Sequence, residues 1–348
     1  MRHNKVIGTP LKKRRIGKSG IVVSEIGLGT MTFGSSCEQS IAFEILNEAF
    51  NSGVDFYDTA EVYPVPPDPS YVHRTEDMLG SWLQTKTRDS VILASKVCGP
   101  GHGWFSPPVR SGKTALDRHS IMKAIDGSLK RLKTDYIDLY QIHWPDPDMY
   151  YEEVLFALSE LVQSGKVRYV GCSNETPWGL MKSLWSSDKN RLVRYESIQN
   201  NYSMLNRRFE DALSEICKRE NISLLAYSPL AGGVLSGKYN NGNIPENARF
   251  TRYAKLAERQ KKQSSRYLNE NTLNSTSEYM KIAKDIGMSC STMSIAWSKQ
   301  NDFVASTLIG ANTVEQFSEL IRASNITLTP DTLSRIDEVS KNIPYPMG

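Results

Sequence analysis

"SIAFEILNEAFNSGVDFYDTAEVYPVPP", residues 40–67, holds one full turn of the pattern that decides the fold. Its first half puts Ile41, Ile45, Leu46 and Ala49 on one face of a helix, and Gly53 is the residue type that ends one. "GVDFYD" (53–58) follows, too short for a helix and apolar until it stops at Asp58. Five residues later Tyr63 is presented at the head of a run of prolines. The same alternation recurs along the chain. Short apolar runs occur at "EIGLGT" (25–30), "SVILASK" (90–96), "YIDLYQIH" (136–143), "KVRYVGCSN" (166–174), "ESIQN" (196–200), "ISLLAYS" (222–228) and "VASTLIGA" (304–311). Amphipathic stretches such as "DRHSIMKAIDGSLKRLK" and "YYEEVLFALSELVQSGK" lie between them.

With "GVDFYD" these make eight strands alternating with helices. Near-continuous apolar strands of this kind imply a parallel sheet covered by helices. Eight is the number that closes a (β/α)8 TIM barrel; an open doubly wound sheet is the alternative. "KKRRIGKSGIVVSEIG" reads as an N-terminal β-hairpin that plugs the barrel bottom. Two connections, 97–118 and 229–271, are too long to be plain turns and read as active-site loops or lids. No interdomain linker interrupts residues 1–348, which read as one barrel domain with a flexible tail over 1–11.

Composition excludes several other classes. The 348 residues are 39% hydrophobic and 23% charged, ordinary for a globular chain. The net charge of +4, from 42 basic and 38 acidic residues, is too mild for a nucleic-acid partner. The exception is the start, where Arg2, Lys5, Lys12, Lys13, Arg14 and Arg15 stand without an acid. A flexible tail running into a surface strand is the ordinary reading, and a targeting or anionic-surface role the alternative. Five scattered cysteines with no CxxC argue against a disulfide framework and a zinc knuckle. No apolar run approaches the roughly 20 residues that span a bilayer. Neither a membrane nor a metal is expected, and the location is expected to be reducing and cytoplasmic.

Two phosphate-binding patterns almost appear. "GLGTMTFG" from Gly27 begins as GxG but holds Thr32 at the third glycine, so it fails as a dinucleotide fingerprint. "GGVLSGKY" spaces Gly232, Gly237 and Lys238 like a P-loop, but Tyr239 stands where a Ser or Thr must hold magnesium. Lys238 remains able to meet a phosphate as a point charge.

The chemistry lies at the strand ends, because a (β/α)8 barrel presents all of them on one face. There the sequence offers Asp58, Lys96 and His143 on three successive strands, with Tyr63 in the loop after the first. Singly, each has an ordinary reading: a helix cap, a surface lysine, a core histidine, a rim aromatic. Jointly they are an acid–base set. Asp58 partners a buried lysine. Lys96 favours the phenolate and brings release of the Tyr63 proton, near pH 10 when unperturbed, toward neutrality. His143 donates a hydrogen bond to a carbonyl oxygen. Such a set polarises a carbonyl and delivers a proton, and a cofactor must bring the hydride.

"DTAEVYPVPP", "ILASK", "LYQIHWPD", "RYVGCSNE", "AYSPLAGGVLSGKY" and "LIGANTVEQ" together resemble the aldo-keto reductases, over about residues 12–340. "YPVPP", "SNETPWG" and "ARFTRY" are most similar to the Tas-like branch. The resemblance implies that Tyr63 is the general acid, Asp58 and Lys96 its supporting ion pair, and His143 the residue orienting the carbonyl. It implies that Gly29, Thr30 and Met31 lie under the nicotinamide, that Ser173 and Asn174 bind its carboxamide with Gln199 beside them, and that Tyr227 stacks on its ring. Ser228, Leu230 and Lys238 match the pyrophosphate loop, and Gly310, Asn312, Gln316 and Glu319 the adenosine end. Leu320 stands where a related branch carries Asn. Arg249 aligns with an arginine near the adenosine 2′-phosphate, in a basic loop that also holds Arg252. The implied activity is NADPH-dependent reduction of small aldehydes or ketones. The alternative is a slow cofactor-binding regulatory subunit, since some members attach to channels. Substrate identity, expected to be set by loops 64–75, 97–118 and 229–271 with Trp104, Phe105 and Trp144, and oligomeric state stay open.

Overall fold

Eight parallel strands close on themselves in the computed structural model of the chain, which describes residues 11–101, 106–246, 248–256 and 258–347. An antiparallel hairpin, β1 (Lys13–Arg15) and β2 (Val22–Ser24), precedes them. The barrel strands are β3 (Ile26–Gly29), β4 (Phe56–Asp58), β5 (Ile92–Val97), β6 (Ile137–Ile142), β7 (Val167–Ser173), β8 (Tyr195–Asn201), β9 (Ser223–Tyr227) and β10 (Val304–Ile309). Each pairs with the next, and β10 pairs with both β9 and β3, so the fold is a (β/α)8 TIM barrel and not the open sheet. Each run read from the sequence contains one strand, trimmed or extended by a residue or a few at its ends.

The helices form because each has one apolar face to bury against the strands. Helix 39–51 buries Ala42, Ile45, Leu46 and Ala49, with Ile41 only partly covered, and the chain reverses at Gly53 with φ +88°. Helix 118–132 starts at Asp117, whose carboxylate accepts the Ser120 N–H at 2.6 Å. Gly80 on helix 74–83 lets that helix lie against the next one: a Cβ there meets the Arg131 carbonyl oxygen at 2.1 Å.

The hairpin closes the bottom. Ile16, Ile21 and Val23 pack on the inward side chains Phe56, Ala94, Leu139, Leu225 and Ala305. It is fastened to the start of the last strands, with Gly17 N–H on Ser223 Oγ at 2.9 Å and Arg14 on the Val304 carbonyl at 2.6 Å. Leu11, assigned to the tail by the sequence, is buried in the outer core. Residues 1–10, with the basic residues Arg2 and Lys5, and likewise Trp104 and Phe105, lie outside the described residues.

The long connection 229–271 is not the open loop its polar sequence suggests. It builds helices 249–253 and 258–267, anchored by Phe250 stacked on Tyr267 at 4.6 Å between ring centroids. The second of these is too polar to show an apolar stripe; three buried aromatics, Phe250 and Tyr253 on the first helix and Tyr267 on the second, hold the pair down instead. Among the described residues no helix is long and apolar enough to cross a membrane.

Candidate active site

The strand ends meet as the barrel geometry requires. Asp58 closes β4 and Lys96 lies near the end of its neighbour β5, both buried, with Nζ 2.6 Å from Oδ2. Lys96 also donates to the Thr59 carbonyl at 2.8 Å. The other carboxylate oxygen accepts from Gln199 on β8 at 2.8 Å and from Gln141 on β6 at 3.3 Å. Asp58 is thus satisfied from three strands, which is what a buried charge requires.

Tyr63 sits over this group. Lys96 Nζ lies 5.0 Å from the centre of its ring, and the His143 ring stands edge-on to it at 5.6 Å and 80°. The loop is pinned at its base: Tyr63 N–H donates to the Ala60 carbonyl, Val65 N–H to Met31 and His73 N–H to the Tyr63 carbonyl, all at 2.9–3.1 Å. A second ion pair, partly buried Arg110 on buried Glu61, ties the 97–118 loop to the same segment. Glu61 also accepts the Cys98 N–H at 2.6 Å. The pattern reading missed Glu61, Arg110 and Gln141, because nothing local marks a partner dozens of residues away.

One electrostatic expectation is reversed. Burial, then the charges of Asp58 and Cys98, push the Tyr63 phenol well above its usual value of 10. The Lys96 cation, whose hydrogen bonds go to Asp58 and Thr59, does not outweigh them. Burial lowers the ammonium itself, with Asp58 opposing. In this arrangement the tyrosine keeps its proton at ordinary pH.

From Tyr63 a cavity of about 1130 Å³ runs across the barrel mouth to Glu319. Gly29, Met31, Asp58, Tyr63, His143, Ser173, Asn174, Gln199, Tyr227, Ser228, Leu230, Lys238, Arg249, Gly310, Asn312, Gln316, Glu319 and Leu320 all line it. Thr30 does not. It is fully buried, and its N–H and hydroxyl both donate to the Asp58 carbonyl, at 3.0 and 2.8 Å. Those two bonds hold it against the end of β4 and away from the mouth, between Gly29 and Met31. Asn174 is a junction, with φ +55°: its Nδ2 donates to the His143 carbonyl at 2.9 Å and its Oδ1 accepts from Tyr227 at 2.8 Å.

At the other end Lys238 and Arg249 face one another. Burial and then the Arg249 charge lower the Lys238 ammonium below its ordinary value. Neither cation has a carboxylate partner among the described residues, a juxtaposition that an anion relieves. Gly232 and Gly233, at φ +66° and +98°, keep the loop thin: a Cβ on Gly233 meets Lys238 Nζ at 2.8 Å. Arg252 is exposed and does not line the cavity, whereas Lys262, Gln263 and Arg266 on helix 258–267 do. That last group was not foreseen, because the helix carrying it was not legible in the sequence.

Residues 25–341 match the model of the aldo/keto reductase family. The chain belongs to that family. It is 40% identical to "Protein tas" of Escherichia coli, over 97% of this chain and 99% of that one. It is 32% identical to the "Uncharacterized oxidoreductase YrpG" of Bacillus subtilis, over 93% and 94%. It is also 31% identical to a "Probable voltage-gated potassium channel subunit beta" of Arabidopsis thaliana, over 96% and 98%. As an aldo/keto reductase the chain is an oxidoreductase, of a family whose general chemistry is carbonyl reduction with NAD(P)H. The cavity fits such a dinucleotide: it is long, has donors at one end near Tyr63, and ends in paired cations beside a glycine cradle.

Proposed function

We propose that the chain reduces a small aldehyde or ketone with NADPH, in the cytoplasm, with Tyr63 as the proton donor. The observation that carries this is the convergence of Tyr63, His143 and the Lys96–Asp58 pair at one end of a cavity whose other end holds two cations without a carboxylate partner among the described residues. A nicotinamide held there would supply the hydride that the carbonyl carbon needs. Tyr63 gives its proton to the carbonyl oxygen, and the products are the alcohol and the oxidised cofactor. The high proton affinity of the phenol keeps the donor loaded, and His143 stands across from it to orient the oxygen. Ser173 and Asn174 would hold the carboxamide, with Tyr227 against the ring. Lys238 would meet the pyrophosphate. Met31, Val62, Val65 and Trp144 give the substrate an apolar mouth.

The likeness to the potassium channel subunit favours a second reading, a slow cofactor-binding subunit. A stopped-flow record of bound NADPH oxidised by a panel of aldehydes and ketones separates the two. Multiple turnovers by the purified chain are expected. Negligible turnover together with a stably co-purifying partner overturns the enzyme.

The cofactor choice has its own test. Arg249 offers a planar fork that grips a phosphate in bidentate fashion. Arg249→Ala is expected to weaken NADPH by about 1.5–3 kcal/mol and to leave NADH unchanged. The readout is the pair of dissociation constants on parent and variant. Equal weakening of both cofactors refutes a 2′-phosphate role, and a parent that prefers NADH refutes the cofactor assignment.

A further inference from the structure

A second cavity, of about 630 Å³, opens outside the reaction cavity, between the segment that follows β6 and the start of helix 177–190. Its walls include Tyr150, Tyr151, Glu152, Glu175, Trp178 and Lys182. Tyr150 and Trp178 are 79% and 69% exposed, costly surface to leave in water without a use. The Tyr151 ring stands edge-on to Trp178, with centroids 5.8 Å apart and planes at 71°, so the two form a corner.

Glu175 lies in the same wall and is only 6% exposed. Its Oε1 accepts the Thr176 N–H at 2.7 Å and the Thr176 hydroxyl at 3.3 Å. No Lys or Arg pairs with it among the described residues. Burial raises its carboxyl above the ordinary value in spite of those bonds. Gly179 is cut back to make room: a Cβ there meets Glu175 Oε1 at 2.1 Å and Tyr151 Oη at 2.5 Å. The carboxylate and the aromatic corner therefore converge on the first turn of the helix.

A capping role does not account for Glu175. Thr176 already caps the helix, accepting the Gly179 N–H at 3.0 Å. The single cation of the lining, Lys182, is held by Glu152 at 3.2 Å and lies over the Trp185 ring at 4.3 Å. Two carboxylates against one ammonium leave the lining one net negative charge.

The geometry points to a binding site for a small organic cation, an alkylated ammonium. Ring faces attract a cation through their quadrupole, most strongly when it is poorly hydrated, and a buried carboxylate supplies the neutralising charge. Metal ions are the wrong match, since the walls are aromatic and the described residues hold no cluster of three metal-type ligands. The site is distinct from the reaction cavity but borders it: Glu175 directly follows Asn174, and Pro145 follows Trp144.

The test titrates the purified protein with choline and with 3,3-dimethylbutanol, its uncharged carbon isostere, by calorimetry. Choline is expected to bind in about the millimolar range and the isostere at least about tenfold more weakly. Trp178→Ala and Glu175→Gln are each expected to weaken choline by about tenfold or more. Unchanged NADPH affinity shows that each variant is folded, and the exposed Trp178 decides if the Glu175 variant does not fold. Equal binding of choline and its isostere, no choline binding at about 50 mM, or choline binding untouched by Trp178→Ala overturns the site.

Discussion

Tyr63→Phe is expected to bind NADPH as the parent does and to reduce carbonyls about 10²–10⁴-fold more slowly. The substitution removes one hydroxyl and keeps the ring that packs with Val62, Cys98 and Val109. The loop is held by backbone bonds at Ala60, Met31 and His73, which the change does not touch. Structure and cofactor site are therefore preserved while the proton donor is lost. Measuring kcat on one good aldehyde, with NADPH affinity alongside, reads the effect. A near-native kcat removes Tyr63 from the acid role, and lost NADPH binding means the cavity itself was disturbed.

Lys96→Met is expected to lower activity and to move a pH profile. Alcohol oxidation, the reverse reaction, needs the Tyr63 phenolate as a base. Removing a cation 5.0 Å from the ring favours the neutral phenol, so its ionisation moves to still higher pH. The rising limb of the oxidation profile should therefore shift to the alkaline side. Asp58→Asn should lower activity more mildly. Lys96→Met also leaves Asp58 buried without its counter-ion, a loss of about 3–5 kcal/mol in stability. The double variant Asp58→Asn with Lys96→Met removes both charges. It should recover the denaturation midpoint but not the rate. A rate restored with the midpoint, or an unmoved pH limb in the single variant, means that Lys96 serves only the fold.

The eight strands, the hairpin and the grouping of Asp58, Tyr63, Lys96 and His143 were legible because they are written in short-range terms. Alternating apolar runs and helical faces follow from periodicities of two and 3.6 residues, and a parallel barrel brings every strand end to one face whatever the loops do. Asp58, Lys96 and His143 could thus be placed together before any contact was known. Thr30 escaped the same logic because the resemblance assigned a whole segment, while the bonds of its middle residue to the Asp58 carbonyl hold it away from the mouth. Helices 249–253 and 258–267 were hidden by polarity, and their position depends on the Phe250–Tyr267 stack.

What the tertiary structure alone decided are the quantities that depend on distance between remote residues. Gln199 reaches Asp58 across 141 positions, and Arg110 reaches Glu61 across 49. The sign of the Tyr63 shift is of this kind. A lysine nearby in the pattern suggests an easier proton release, but burial and the facing carboxylate oppose it through desolvation and charge repulsion that only closed packing sets. The aromatic corner at Glu175 is another: it joins the segment after β6 to the start of helix 177–190, which no local pattern connects. Residue type and spacing determine which groups are available on a face, and chain closure determines which of them are close enough, and dry enough, to act on each other.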